Sequence, residues 1–318
     1  MWIVEFALCS NYPAVLYGIM GNLLEIGVAT YTDGPYYNLL FSERLHLGFH
    51  TERNLLRLAR AFAATRRVIA NLQMFYAAPP VRGSIAHLFP SPLPVPTYTG
   101  VVPSLTFTHR LSRSRQIVVL AEDETSRQSG IYLATMARPR SVDEGTAMSS
   151  SVDALADTSE VVVKFTARYN PEAHRVLAAG GLAPMLHACV PVCGGLLMVV
   201  MDRVHGEIAV EAASRRELLP YDIYKDIRDA VGLLHSNELV FGDLRTPNIM
   251  VVPGGSGRPR GMLIDFDWVG THGIGRYPAS MNDGLDIWSS SGIKRYEIMD
   301  KAHDLVMLDK FKDLCHSA

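Results

Sequence analysis

Five polar residues in the C-terminal third of this 318-residue chain have the types and spacing of a phosphate-handling site. Asp243, Arg245 and Asn248 lie in a short polar loop between two apolar, strand-like segments. A second apolar run ends in Asp265 and Asp267. An Asp and an Asn five residues apart, with another Asp after the next strand, suit phosphoryl transfer. One carboxylate can orient a hydroxyl, while the amide and the second carboxylate hold magnesium against nucleotide phosphates.

These segments resemble the protein-kinase-like family. The family motif H-R-D-L-x-x-x-x-N keeps its Asp-to-Asn spacing as Asp243 and Asn248, and D-F-G appears as Asp265-Phe266-Asp267. The resemblance covers about residues 104–318. The motifs G-D-L-R-x-x-N-I and I-D-F-D-W, with Tyr277-Pro278 and Asn282 following, are similar to those of divergent kinase-like proteins of fungi and of Crinkler-type effectors.

By this resemblance, Asp243 would orient or deprotonate the acceptor hydroxyl, and Arg245 would neutralise the transferring phosphoryl group. Asn248 and Asp265 would hold Mg²⁺, which takes oxygen ligands and keeps several waters. Asp267 replaces the usual glycine, and the sequence leaves open whether it binds a second ion or is structural.

A lysine in an apolar strand supplies the next candidate. Lys164 follows three successive valines, and a buried lysine needs an anionic partner. The resemblance assigns Lys164 to the α- and β-phosphates of ATP and gives it Glu172 as its partner. Glu172 also has a local explanation, because Pro171 suits the first position of a helix and a carboxylate is favourable in the first turn.

The apolar segment 196–201 resembles the strand that leads into the kinase hinge. Met201 would be the gatekeeper, the backbones of Asp202 and Val204 would face adenine, and Glu207 would reach the ribose. Taken by itself, this segment could be any strand that leaves a hydrophobic core. Its position in the order of the elements is what supports the assignment to the hinge.

Three departures from the family weaken these expectations. The loop 110–115 has no glycine, so only Arg113 and Arg115 remain there as candidates for phosphate contact. Gly242 replaces the arginine that pairs with a phosphorylated loop, and we expect no control by that route. The A-P-E motif is missing, and the part after Asp265 is short.

Composition agrees with a globular chain. It is 48% hydrophobic and 19% charged, its mean hydropathy is +0.11, and its net charge of −2 gives no reason to expect nucleic acid or a membrane as partner. The N-terminus lacks the features of a signal peptide. The four cysteines have no metal-ligand pattern, so we expect free thiols and an intracellular location, cytoplasmic or nuclear.

We expect an N-terminal accessory region, 1–100, of small α/β type, ending in a proline-rich connector, and a kinase-like domain, 101–318. The clearest helix spans 51–77, with Thr51 as N-cap. A row of arginines along it favours a solvated face over an acidic partner, although the region is also a candidate for binding an unknown protein. Further helices are expected at 222–236 and at 301–314. The first has an apolar stripe of Ile223, Ile227, Val231 and Leu234, and the second has one of Ala302, Leu305, Leu308 and Leu314.

Three further expectations are local. His235, at a helix end, is expected to be structural. The glycine-rich segment 253–261 is expected to form a long hairpin turn between two strands. The serine-rich stretch 138–160 is expected to be a mobile insertion between strands.

The sequence therefore predicts an α+β, two-lobed, protein-kinase-like fold with a truncated C-terminal lobe. The small lobe would span about 101–201 and the large lobe about 202–318. The predicted activity is transfer of the γ-phosphoryl of MgATP to a Ser/Thr hydroxyl. Two alternatives remain: a small-molecule kinase, favoured by the short large lobe, and a pseudokinase scaffold, favoured by the missing glycine loop.

Overall fold

The computed structural model describes residues 10–31, 35–45, 51–78, 88–112, 117–118, 130–137, 158–255, 257–281 and 293–317. These residues form two compact units, one up to Ser91 and one from Pro92 onward. Three features named above lie outside the described residues: the arginines at 113 and 115, the serine-rich stretch 138–157, and Asn282.

The first unit is a three-stranded antiparallel sheet and one long helix. Its strands, in the order β1-β2-β3, are β1 (Ala14–Met20), β2 (Leu23–Tyr31) and β3 (Pro35–Arg44), and its helix is α1 (Glu52–Ala77). Thr51 caps this helix, because its Oγ1 accepts a hydrogen bond from the Asn54 N–H at 3.3 Å. The predicted helix and its N-cap are therefore confirmed.

A six-stranded antiparallel sheet begins the second unit. Its order is β5-β4-β6-β7-β9-β8, and its strands are β4 (Leu105–Leu111), β5 (Ile117–Val118), β6 (Ile131–Ala137), β7 (Thr158–Thr166), β8 (Leu186–Val192) and β9 (Leu196–Asp202). The β-branched run in β7 is buried because apolar clusters cover both faces of the sheet: Val162 packs in one cluster, and Val161 and Val163 pack in the other. The sequence did not predict β8, an edge strand that contains Pro191, a residue that sheets tolerate mainly at edges.

The rest of the second unit combines helices with short strands. The helices are α2 (Pro171–Ala179), α3 (Ala209–Ser214), α4 (Tyr221–Ser236) and α5 (Lys301–Lys312). The strands are β10 (Glu207–Ile208), β11 (Leu239–Val240), β12 (Ile249–Val252), β13 (Arg260–Leu263) and β14 (Gly270–Thr271). Strands β12 and β13 form an antiparallel hairpin, as the glycine-rich segment between them predicts. The predicted stripe of α4 is buried: Ile223, Ile227, Val231 and Leu234.

Helix α5 corrects one prediction. Of the predicted stripe, Leu308 is buried as expected and Leu314 is half-buried, but Ala302 and Leu305 are exposed. Met307 and Phe311, which the prediction left out, are buried. The wholly buried Asp304 occupies the inward position one turn before Leu308. An apolar pattern misplaces this stripe because it scores the acid as a surface residue.

Two sequence expectations concern membranes and thiols. No helix in the described part of the chain is long and apolar enough to span a membrane. Three of the cysteines, Cys189, Cys193 and Cys315, are free thiols, as expected, although Cys193 is exposed.

Candidate active site

Lys164 lies on the central strand β7, and its side chain is almost fully buried. Its Nζ lies 2.7 Å from Asp265 Oδ1 and 2.8 Å from Asp267 Oδ1. The anionic partner that a buried lysine requires is therefore present, and it consists of two carboxylates from one loop. The contact with Asp267 has the distance of an ion pair but not the angle of a good hydrogen bond, so we treat it as mainly coulombic.

The structure does not form the implied pair between Lys164 and Glu172. Glu172 is exposed, and among the described residues it has no ion pair. On the same helix, His174 and Leu177 are fully buried, and a side chain two residues before His174 points about 200° away from it. Because α2 turns His174 inward, Glu172 faces outward, where its place in the first helical turn is favourable by itself.

Asp243 is buried in the loop before β12 and is held from two sides. Arg245 places Nε 2.7 Å from Oδ1 and donates from Nη2 to Oδ2 at 3.1 Å, and Asn248 Nδ2 donates to Oδ2 at 2.8 Å. Burial raises the pKa of the Asp243 carboxyl to about 6, against the lowering effect of the Arg245 charge, while the nearby Asp265 raises it further. A carboxylate tuned in this way is suited to accept a proton near neutral pH.

The amide of Asn248 has a fixed orientation. Its Nδ2 donates both to the Asp243 carbonyl, at 2.9 Å, and to the Asp243 carboxylate. These two acceptors identify the nitrogen end of the amide, and no described residue donates to Asn248 Oδ1. Asn248 therefore offers an oxygen of the kind that Mg²⁺ prefers.

The β12–β13 hairpin brings Asn248 next to Asp265. Ile249 pairs with Leu263, so the residues just outside this pair are neighbours, and the Ile264 N–H donates to the Asn248 carbonyl at 2.9 Å. Asp265 itself has a φ of +72°, in the left-handed region that few residues other than glycine adopt. Such backbone strain is found disproportionately at functional sites.

A cleft opens beside these groups. Its empty volume is about 600 Å³, counting space open to solvent, and it is lined mainly by apolar side chains and by the segment that follows β9: Leu111, Leu133, Val162, Pro184, Met201, Asp202, Arg203, Val204, His205, Gly206, Met250 and Ile264. Ile264 connects the lining directly to Asp265.

Three of the four predicted hinge residues line this cleft: Met201, Asp202 and Val204. Among the described residues, none accepts a hydrogen bond from the Val204 N–H. Glu207 does not line the cleft, because both of its carboxylate oxygens bind Arg215 Nη2 at 3.0 Å. The predicted contact of Glu207 with ribose would require this exposed pair to open.

The residues present fit a magnesium nucleotide, with one condition. In the described part of the chain, no group of three or more His, Cys, Asp or Glu side chains could hold a metal ion by itself. Asn248 Oδ1 and Asp265 would supply only two ligand groups, so a bound Mg²⁺ would depend on phosphate oxygens and water. This is the usual manner of Mg²⁺ binding at nucleotide sites.

Asp304, which the sequence analysis missed, holds the loop that carries Asp243. Its carboxylate accepts hydrogen bonds from the N–H groups of Phe241 and Gly242, both at 2.8 Å, and lies 3.0 Å from His235 Nε2. The structural role expected for His235 is consistent with this contact. The sequence does contain a clue to this role. Asp304 lies three, four and seven residues before Met307, Leu308 and Phe311, so it is on the same face of the helix as these apolar residues.

The chain was compared with family models, curated proteins and solved structures. No family model matches the sequence, and no curated protein matches it. Among solved structures, the chain is similar to the kinase PK-1 of the Cydia pomonella granulovirus, with 15% sequence identity and a TM-score of 0.41. The match covers 65% of this chain and 67% of the viral chain. It is a likeness of fold, and the resemblance to fungal and Crinkler-type proteins stays a prediction.

Proposed function

We propose that this chain is a phosphotransferase with a two-lobed, kinase-like catalytic domain that transfers the γ-phosphoryl of MgATP to a Ser/Thr hydroxyl. One observation carries the proposal: Lys164, Asp265, Asn248 and Asp243 are joined by contacts. None of the four lines the apolar cleft, but Ile264, the neighbour of Asp265 in the chain, does. Lys164 meets Asp265, the backbone next to Asp265 binds Asn248, and Asn248 binds Asp243. Lys164 is a cation that can bind phosphate, Asn248 and Asp265 offer oxygen ligands for magnesium, and Asp243 can act as the base.

In this proposal the cleft binds the adenine ring between apolar side chains, and the Val204 N–H donates to the ring. Lys164 holds the α- and β-phosphates by charge. Asn248 and Asp265 hold Mg²⁺, which when bound neutralises charge on the phosphate oxygens. The acceptor oxygen attacks the γ-phosphorus, the bond from that phosphorus to the β-phosphate oxygen breaks, and the hydroxyl proton passes to Asp243.

Arg245 has two roles in this scheme. In the structure it pairs with Asp243 and so opposes the rise of its pKa. Its guanidinium is partly exposed, so it can also meet the transferring group, whose negative charge it would stabilise.

Titration calorimetry with a non-hydrolysable ATP analogue tests the binding part of the proposal. We expect binding in the presence of Mg²⁺, and a loss of at least tenfold in affinity in Asp265→Ala, because one of two metal ligands is removed. The matched control is Asp309→Ala, an exposed aspartate on α5, which should bind like the wild type. Absence of binding with or without Mg²⁺ would contradict the proposal and favour a pseudokinase scaffold.

Phosphoryl transfer tests the catalytic part. In Asp243→Asn we expect nucleotide affinity within a few-fold of wild type and turnover lower by a factor of at least about 100, the usual contribution of a positioned base. Proteins with Ser/Thr hydroxyls and small-molecule alcohols should be compared as acceptors under the same conditions. Wild-type turnover in Asp243→Asn would contradict the role of this carboxylate, and transfer to small alcohols alone would contradict the choice of acceptor.

A further inference from the structure

Lys164 and Thr166 reach the same carboxylate from one strand. They are two residues apart on β7, so their side chains point to the same face of the sheet. Lys164 Nζ lies 2.8 Å from Asp267 Oδ1, and Thr166 Oγ1 donates to Asp267 Oδ2 at 2.8 Å. The hydroxyl has one proton, and although the Arg168 carbonyl is also within reach at 3.1 Å, the shorter bond to a charged acceptor is the stronger one.

The negative charge of Asp265 would be divided between Lys164 and a magnesium ion if both were bound to it. In the structure its Oδ1 lies 2.7 Å from Lys164 Nζ. A divalent cation on Asp265 would weaken the attraction of that carboxylate for the lysine. Because Lys164 is buried, it then needs another carboxylate that stays in place. Glu172 is exposed and turned away, which leaves Asp267.

We infer that Asp267 positions the Lys164 ammonium group, the role that the resemblance assigns to Glu172. The hydroxyl of Thr166 holds the Asp267 carboxylate in place. As a contribution to nucleotide binding, this inference depends on the proposed function. As a statement about what holds Lys164, it does not. The contacts of the Asp267 carboxylate are with strand β7: Oδ1 lies at ion-pair distance from Lys164, and Oδ2 accepts a hydrogen bond from Thr166.

The cost of placing Asp267 here supports the inference. Asp267 lies beside Asp265, because Lys164 Nζ is 2.7 Å from an oxygen of Asp265 and 2.8 Å from an oxygen of Asp267. Two carboxylates beside one ammonium repel each other. The attraction of both carboxylates to Lys164 offsets this repulsion, which gives Asp267 a role toward the lysine.

The decisive variant is Asp267→Asn, which keeps the shape of the side chain and removes its charge. The first readout needs no nucleotide: the rate at which formaldehyde and a borohydride methylate Lys164, followed by peptide mass spectrometry on the whole chain. We expect Lys164 to be modified several-fold faster in Asp267→Asn, because the amine loses one of its two carboxylates. Thr166→Val, which frees the Asp267 carboxylate, should change the rate in the same direction by less.

The second readout is the affinity for the non-hydrolysable ATP analogue in saturating Mg²⁺. We expect Asp267→Asn to weaken binding at least tenfold and Asp267→Glu to recover part of the loss. Asp309→Asn is the matched control for both readouts. Circular dichroism melting establishes that each variant is folded, and Thr166→Val provides the test if Asp267→Asn does not fold.

The outcomes separate this inference from the proposed function. Faster methylation in Asp267→Asn supports the inference even if the wild-type chain binds no nucleotide, a result that would contradict only the proposed function. Unchanged methylation overturns the inference, and so does acceleration in Glu172→Gln in its place. A higher Mg²⁺ requirement in Asp267→Asn with wild-type methylation would identify Asp267 as a metal ligand and would also overturn it.

Discussion

Asp304 binds Gly242 across 62 residues of sequence: its Oδ1 accepts a hydrogen bond of 2.8 Å from the Gly242 N–H. The other oxygen accepts from the Phe241 N–H and lies 3.0 Å from His235 Nε2. The Asp304 side chain is wholly buried. A single carboxylate on α5 therefore fixes the backbone immediately before Asp243.

Replacement of Asp304 by alanine should destabilise the protein strongly. It would leave two buried N–H groups without an acceptor and His235 without its partner, and breaking a buried ionic contact of this kind costs about 3–5 kcal/mol. Urea denaturation would measure this loss. Asp309→Ala on the exposed side of the same helix should change stability by no more than about 0.5 kcal/mol. Equal stability of the two variants would show that the loop does not depend on Asp304.

Substitution of two glycines by alanine should change the stability of the protein in opposite directions. Gly242 has a φ of +76°, and an added Cβ there would also meet the Cε of Met299. Gly242→Ala should cost at least about 1–2 kcal/mol, because alanine is strained in the left-handed region. Gly232 lies in the exposed interior of α4 with open space around it, so Gly232→Ala should add up to about 1 kcal/mol by helix propensity.

Thermal or urea denaturation of both variants would test this pair. A stabilising Gly242→Ala substitution would contradict the positive φ of the loop. A destabilising Gly232→Ala substitution would contradict the exposed position of that residue on α4.

The pH dependence of transfer should report Asp243. As a base it must be ionised, and its raised pKa of about 6 means that activity is present above pH 6 and falls as the pH drops through that value. We expect kcat/KM to decrease about tenfold per pH unit on the acid side. Arg245 lowers this pKa, so in Arg245→Met the acid limb should move to higher pH. An acid limb at the same pH in both proteins would show that Asp243 does not control it.

His174 should make the folded state sensitive to acid. It is buried, stacks on Phe266, and its ring nitrogens contact Tyr169 Oη at 2.7 Å and the Pro184 carbonyl at 2.8 Å. Burial lowers the pKa of His174 to about 4, so between pH 6.5 and 4 the unfolded chain binds a proton that the folded chain does not. Stability is then complete above pH 6.5 and is lost as the pH falls, by up to about 3 kcal/mol.

Denaturation of His174→Gln between pH 4.5 and 7.5 would measure this effect. We expect the variant to be less stable at pH 7.5 but to lose less stability on acidification than the wild type. His316→Gln, at an exposed position, should keep the wild-type slope. An unchanged slope in His174→Gln would assign the acid sensitivity to other groups.

Much of the local structure could be predicted from the sequence, because it depends on neighbours within a few residues. Apolar periodicity predicted α1 and α4, the capping residue Thr51 predicted where α1 begins, and the glycine-rich segment predicted the β12–β13 hairpin. The hydrogen bond that Asn248 donates to Asp243 was not predicted, although the two residues are only five positions apart. Periodicity failed at α5, where an acid lies on the buried face.

The tertiary structure alone decided which carboxylates hold which groups. Sequence resemblance gave Lys164 a partner eight residues away in Glu172, but the direction in which α2 turns its inward face removes that partner. Asp267, 103 residues further along the chain, lies against Lys164, and Asp304 accepts a hydrogen bond from the Gly242 N–H across 62 residues. Pairings between buried charges depend on where strand ends and helices meet and on how much water the packing excludes. Neither quantity exists until the whole unit has folded, so no local pattern encodes it.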